Sequence, residues 1–255
     1  MKLIVISDTN PASKNIGNIL RERNLRTRFF DIRDSVLDLD KYAGDFRKMN
    51  PELIIVASSH KSEAGVPLLT CHATGNWTDD VSHGGKPRRL SIAPALYIRM
   101  GVLEFQRLKA GNAKLKDYEV GMEVTHHSPT MDFPVVFVEV GSSEKQWNDL
   151  NACKAAADVI EKMVTEEPEK VTTAIGFGGG HYCPNFNKRL EGIAFGHICP
   201  KYAADAVDEG TILQAFTKTI PKPDFAVIEW KGLSSGQREK IIEVLDENKI
   251  SMKKL

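Results

Sequence analysis

The chain has 255 residues, with 34 Lys and Arg against 34 Asp and Glu, 42% hydrophobic and 27% charged. That composition excludes a disordered chain, zero net charge excludes a polycation on average, and the length allows one large domain over residues 1–255. Four cysteines exclude a disulfide framework and point to a reducing, cytoplasmic setting. The apolar run after Lys2 is too short for a secretory signal, and no run reaches the ~18 apolar residues of a membrane span.

Short apolar, β-branched runs recur along the chain: Leu3–Ile6, Leu53–Ala57, Val135–Val140, Thr172–Phe177 and Phe225–Trp230. Several are apolar on successive residues, as expected of strands covered on both faces. Helical spacing lies between them. Ile16, Ile19, Leu20 and Arg23 follow a candidate cap at Ser13, and Ile92, Leu96, Met100 and Leu103 form a longer stripe. Trp147, Leu150, Ala157, Ile160 and Val164 form another, and Ile241, Val244 and Leu245 the last, opened by the capping box of Ser234 and Gln237. Tyr118–His127 alternates apolar and polar residues, the pattern of a half-exposed edge strand. The order predicts an α/β fold: a mixed, mostly parallel sheet flanked by helices. The irregular stretch from His72 to Arg89 is long for a compact domain, which points to function.

Most of the seven histidines, His60, His72, His83, His126, His127, His181 and His197, stand where apolar runs end. Ligands of open α/β sheets bind beyond the carboxyl ends of the strands, so these imidazoles can converge. The run Gly178-Gly179-Gly180-His181 is a glycine turn whose amides can hold an anion; its spacing is neither a dinucleotide fingerprint nor a phosphate-binding loop with its Lys. His181 with Cys183 and His197 with Cys199 form two His-x-Cys pairs that a zinc ion accepts, although buried cysteine is commonly a small hydrophobe. Neither a Cys-His dyad nor a nucleophile elbow is evident, so a histidine or metal that activates water fits better than a covalent intermediate.

Charge is segregated along the chain. From Gly84 to Lys116 eight basic residues, including Lys86, Arg88, Arg89, Arg99 and Arg107, face only Glu104, a local charge of +7. Such a stretch is expected to follow an RNA backbone on one face of a polarised molecule.

Three segments in order, Cys71 to Asn76, Glu123 to Pro129 and Gly178 to Tyr182, resemble the archaeal and plant type of D-aminoacyl-tRNA deacylase over essentially the whole chain. The resemblance implies hydrolysis of the ester joining a D-amino acid to the 3′ end of tRNA, a core similar to peptidyl-tRNA hydrolase and phosphorylase-like folds, and zinc. It implies catalytic roles among His72, His126, His127 and His181, and substrate contacts at Gly75, Asn76, Glu123, Gly179 and Gly180. Zinc ligands would come from His72, His126, His127, His181 and His197, and Lys86, Arg88, Arg89, Arg99 and Arg107 would meet the acceptor stem. A monomer with no membrane or DNA partner is expected. A metal-dependent amidase, a nucleoside-phosphorylase-like enzyme and a non-catalytic tRNA-binding module are the alternatives.

Overall fold

A computed structural model describes all 255 residues. The strands are β1 (Lys2–Ser7), β2 (Arg28–Ile32), β3 (Leu53–Ser59), β4 (Leu68–His72), β5 (Ala93–Pro94), β6 (Glu119–Met122), β7 (Val135–Gly141), β8 (Thr172–Phe177), β9 (Ile193–Cys199), β10 (Thr219–Ile220), β11 (Phe225–Ile228) and β12 (Met252–Lys254). The helices are α1 (Pro11–Arg21), α2 (Ala43–Met49), α3 (Ala95–Gly111), α4 (Glu144–Trp147), α5 (Leu150–Thr165), α6 (Pro184–Asn187), α7 (Glu209–Thr217) and α8 (Ser235–Glu247).

The α/β class is as expected, but there are two main sheets where one was predicted. Six strands run in the order β2-β1-β3-β7-β4-β6, four in the order β12-β11-β8-β9, and β5 pairs with β10. The larger sheet is mixed: β4 lies antiparallel to β7 and carries β6 parallel to itself. The smaller is parallel throughout, so the carboxyl ends of its four strands share one edge.

One core cluster of 39 buried residues draws on both sheets, from Ile4, Ile55, Leu69 and Val138 of the larger to Ala174, Phe195 and Val227 of the smaller. The apolar stripes of α1, α3 and α5 pack into it. Leu3, Val5, Ile54, Val56, Val135 and Phe137 face the other way, onto a second cluster with Phe46 of α2. This two-sided cover is why these strands are apolar on successive residues.

Several local expectations shift. Asn10, not Ser13, caps α1, because Pro11 already occupies the first turn; the Ser13 hydroxyl accepts from the Ser7 N–H instead. Ile92 precedes α3, which begins at Ala95. The stripe from Trp147 breaks into α4 and α5, leaving Leu150 63% exposed. Glu119–Met122 is an edge strand as predicted, but Glu123, Val124 and Thr125 beyond it are buried under the smaller sheet. No helix is long and apolar enough to cross a membrane.

Candidate active site

Strand register builds a polar island on one sheet face. Ser58 of β3 pairs with Glu139 of β7, Glu139 with Thr70 of β4, and Thr70 with Gly121 of β6, so this row shares a face. Residues two further along each strand stay on that face, which places His60, His72 and Glu123 beside Glu139. On the opposite face Cys71 packs with α3 and α5. From the smaller sheet comes His181, after β8, while His126 and His127 lie in the segment that bridges β6 and β9.

Glu123, 3% exposed, is the hub. Its carboxylate accepts from Thr70 Oγ1 at 2.6 Å and from His181 Nε2 at 2.7 Å. His60 Nδ1 lies 3.2 Å away and His126 Nε2 3.5 Å. Burial alone would raise its pKa; the bonds from His181 and His60 and the neighbouring imidazoles outweigh that and hold it well below the usual carboxylate range. Glu139, also lowered, stands 3.4 Å from His72 Nε2.

The tautomers follow from the backbone acceptors. His72, His126 and His127 each donate Nδ1–H to a carbonyl, of Ala73, Val124 and Ser128 respectively. All three therefore turn Nε2 inward, and their ligand atoms lie within 4.8 Å of one another. His72 Nε2 is buried without a hydrogen-bond partner. Three converging imidazoles, each fixed by a second hydrogen bond, form a donor set suited to a divalent transition metal. Burial and the His127 and His72 charges push His126 well below its ordinary value, and burial with the His72 charge takes His127 to about 4. Burial likewise pulls on His72, but Glu139 overrides it and raises the pKa to about 9, so without a cation a proton occupies Nε2. His60, Glu123 and His181 also lie close enough for a metal, but there both imidazoles already point their N–H groups at the carboxylate.

The histidines separate two pockets. One, of about 300 Å³, is walled by Asn76, Trp77, Pro200 and Tyr202; the other, of about 500 Å³, by Asn10, Ser58, Ser59, Lys61 and Glu139. His83, His126, His127 and His181 line both.

Of the residues singled out in the sequence, His72, His126, His127, His181 and Glu123 meet here. Gly75 also belongs: its N–H donates to the His127 carbonyl at 2.8 Å, and a Cβ there would stand 2.6 Å from Leu90 Cα. Asn76 lines the first pocket, but its amide is spent on the Gly84 and Lys86 carbonyls. Gly179 and Gly180 line neither pocket; the glycine turn lies against Glu229 instead. His197 stands apart from the cluster, both nitrogens engaged by Thr125 Oγ1 and the Ser91 carbonyl. Cys183 and Cys199 are buried thiols with raised pKa, and the groups of side chains that converge closely enough for a metal include neither of them nor His197.

The basic stretch is not a bare cationic face. Arg88 pairs with Asp79 and Asp208, Arg89 with Asp132 and Arg107 with Glu104. Arg99 is 6% exposed and gives its guanidinium to Glu169 and the Leu190 and Glu191 carbonyls. Lys86 alone of the five keeps an exposed side chain outside any ion pair. The acids that neutralise the others come mostly from distant segments, which a count along the chain does not see. Two site residues were missed. Glu139 carried a signal, a lone carboxylate inside the apolar run Val135–Val140; burial of such a group requires partners. His60 stood out only as one histidine among seven.

Fold and site together define an α/β protein with a buried imidazole and carboxylate centre between two solvent-connected pockets. The family model described as D-aminoacyl-tRNA deacylase matches residues 47–253. The D-aminoacyl-tRNA deacylase of Methanocaldococcus jannaschii is 33% identical over 99% of each chain. That of Methanosarcina barkeri is 42% identical over 79% of this chain and 65% of its own. The chain belongs to the D-aminoacyl-tRNA deacylase family. A crystal structure described as a conserved protein of unknown function, AF0625, has the same fold, with a TM-score of 0.91, 24% identity, and coverage of 100% of this chain and 95% of that one.

Proposed function

We propose that this centre hydrolyses the ester between a D-amino acid and the 3′ end of tRNA, with His181 as general base and Glu123 as its orienting partner. Family membership decides for this enzyme over an amidase, a phosphorylase-like enzyme or a passive RNA-binding module. The observation that carries the assignment of roles is the pairing of His181 Nε2 with Glu123 at 2.7 Å. A carboxylate there fixes the proton on Nε2, which leaves Nδ1 as a lone pair on a ring that borders both pockets. Water between the pockets gives its proton to Nδ1 as its oxygen attacks the ester carbonyl. The C–O bond to the ribose then breaks, and the same proton passes to the departing ribose oxygen, giving free D-amino acid and tRNA. His60 supports the carboxylate from the other side and is held in place by the Tyr182 hydroxyl at 3.0 Å.

His72, His126 and His127 would hold a zinc ion, which when bound supplies Lewis acidity and lowers the pKa of its water. Gly75 keeps the His126–His127 segment close to Leu90 so that the three rings stay convergent. We read Lys86 as the member of the basic stretch closest to an RNA role, with Arg88, Arg89 and Arg107 held by acids and Arg99 structural. We also read residues 1–255 as one domain with a core similar to peptidyl-tRNA hydrolase; the 39-residue cluster common to both sheets supports the single unit.

The test is release of amino acid from D-Tyr-tRNA and L-Tyr-tRNA, with and without chelator. Hydrolysis of the D ester alone, lost on chelation and restored by zinc, is the expected result. Equal rates on both esters would refute the chirality, and activity indifferent to chelation would refute the metal.

A further inference from the structure

The two pockets on either side of His126, His127 and His181 differ in chemistry, and that difference orients the substrate. We infer that the terminal nucleoside of the RNA occupies the pocket of Trp77 and Tyr202, and the aminoacyl group the pocket of Ser58, Ser59 and Lys61. This deepens the ester-hydrolase reading above and rests on it.

Tyr202 is 62% exposed and lines a pocket that also includes the buried Asn76, Trp77, Thr125 and Pro200. An exposed aromatic face beside a reactive centre is a platform for an unpaired base, which stacks regardless of its identity. In the same pocket Trp77 is 3% exposed, and its indole N–H is buried without an acceptor. Pro200 and Ala203 flank the two rings, Asn76, Thr78 and Ser82 add hydrogen-bonding groups that suit a ribose, and the volume of about 300 Å³ is at the lower end for small-molecule sites. Tyr202 lies just past the carboxyl end of β9 beside Lys201, an exposed cation outside every ion pair, where a preceding phosphate would pass.

The second pocket contains no Phe, Tyr or Trp. It carries Asn10, Ser58 and Ser59 with the carboxylates of Glu63 and Glu139 against the single cation Lys61, hydrogen-bonding groups and an excess of carboxylate that suit an α-ammonium. With the nucleoside on one side and the ammonium on the other, the ester falls at the shared wall, against His181.

AMP is the probe, read by direct binding as well as by inhibition. AMP should bind the wild-type protein and compete with D-Tyr-tRNA. Tyr202→Ala should weaken AMP and raise KM about fivefold or more, the low end for losing one base–aromatic stack, with kcat nearly unchanged. Tyr202→Phe should restore both. Ser59→Leu should alter the ranking of D-amino acids while leaving AMP binding intact. Failure of AMP to bind, an AMP affinity unmoved by Tyr202→Ala, or loss of AMP binding in Ser59→Leu would overturn the orientation. A wild-type protein that binds AMP but leaves D-Tyr-tRNA intact would sink the hydrolase reading instead, so the two failures are distinguishable.

Discussion

Replacement of Glu123 by glutamine changes one oxygen for an amide nitrogen at the hub of the site. The remaining oxygen can keep the bond from Thr70 Oγ1, now 2.6 Å. The new NH₂ then faces His181 Nε2 and His60 Nδ1, at 2.7 and 3.2 Å in the native site, donor against donor. His181 escapes by moving its proton to Nδ1, which removes the lone pair that takes the proton from water. Loss of a positioned general base costs about 10²–10⁴-fold in rate. Leaving buried hydrogen-bonding groups unpaired costs about 1–3 kcal/mol of stability. Single-turnover release of D-Tyr from D-Tyr-tRNA should therefore collapse in Glu123→Gln, while tRNA affinity, measured on uncharged tRNA, stays the same. Thermal or urea unfolding would register the second cost. An unchanged kcat in a folded Glu123→Gln protein would refute the role given to the Glu123–His181 pair.

Three further outcomes are expected. His127→Ala removes one of three converging imidazoles, so zinc content by elemental analysis should fall about 10-fold or more at limiting zinc, with activity following it. Arg99→Ala deletes the bonds to Leu190, Glu191 and Glu169 and should lower stability by about 2–4 kcal/mol without changing tRNA affinity; a weakened complex at unchanged stability would contradict its structural role. His197 gives a pH signature. Burial holds its pKa at about 3, below the ordinary 6.5. The unfolded chain thus binds the proton that the folded chain refuses, and stability falls as pH drops through that window, by about 1.4 kcal/mol per unit. Urea midpoints in His197→Gln should show a shallower acid limb than wild type; parallel limbs would show that His197 is not held neutral.

How far the sequence led depends on whether a signal was local. The strands at Leu3, Leu53, Val135 and Thr172 and the capping box at Ser234 were legible, because burial on two faces and a first-turn hydrogen bond both leave marks on contiguous residues. β2 and β4 carry weaker marks and were not anticipated. The split into two sheets is set by which strands pair, a non-local choice. The histidines were legible as a group because most of them follow an apolar run, yet nothing in the sequence could say that His197 would spend both nitrogens on its neighbours. Charge misled for the same reason: Asp208 reaches Arg88 across 120 positions and Glu169 reaches Arg99 across 70. The three short motifs that carried the resemblance are the segments that bring His72, Glu123, His126, His127 and His181 together.

The hub carboxylate has a consequence for how activity is acquired. Glu123 is served by Thr70 from the larger sheet and by His181 from beyond the smaller one, partners 53 and 58 positions away. Contacts of such long sequence separation require loop closure before they return any free energy, and topologies rich in them fold slowly. No fragment ending before the smaller sheet holds the complete centre, so with His181 as the base a growing chain should be catalytically silent until the residues beyond β8 have docked. Recovery of hydrolysis should then lag behind secondary structure during refolding and coincide with the last non-local step, which makes turnover itself a clock for the closure of the two sheets.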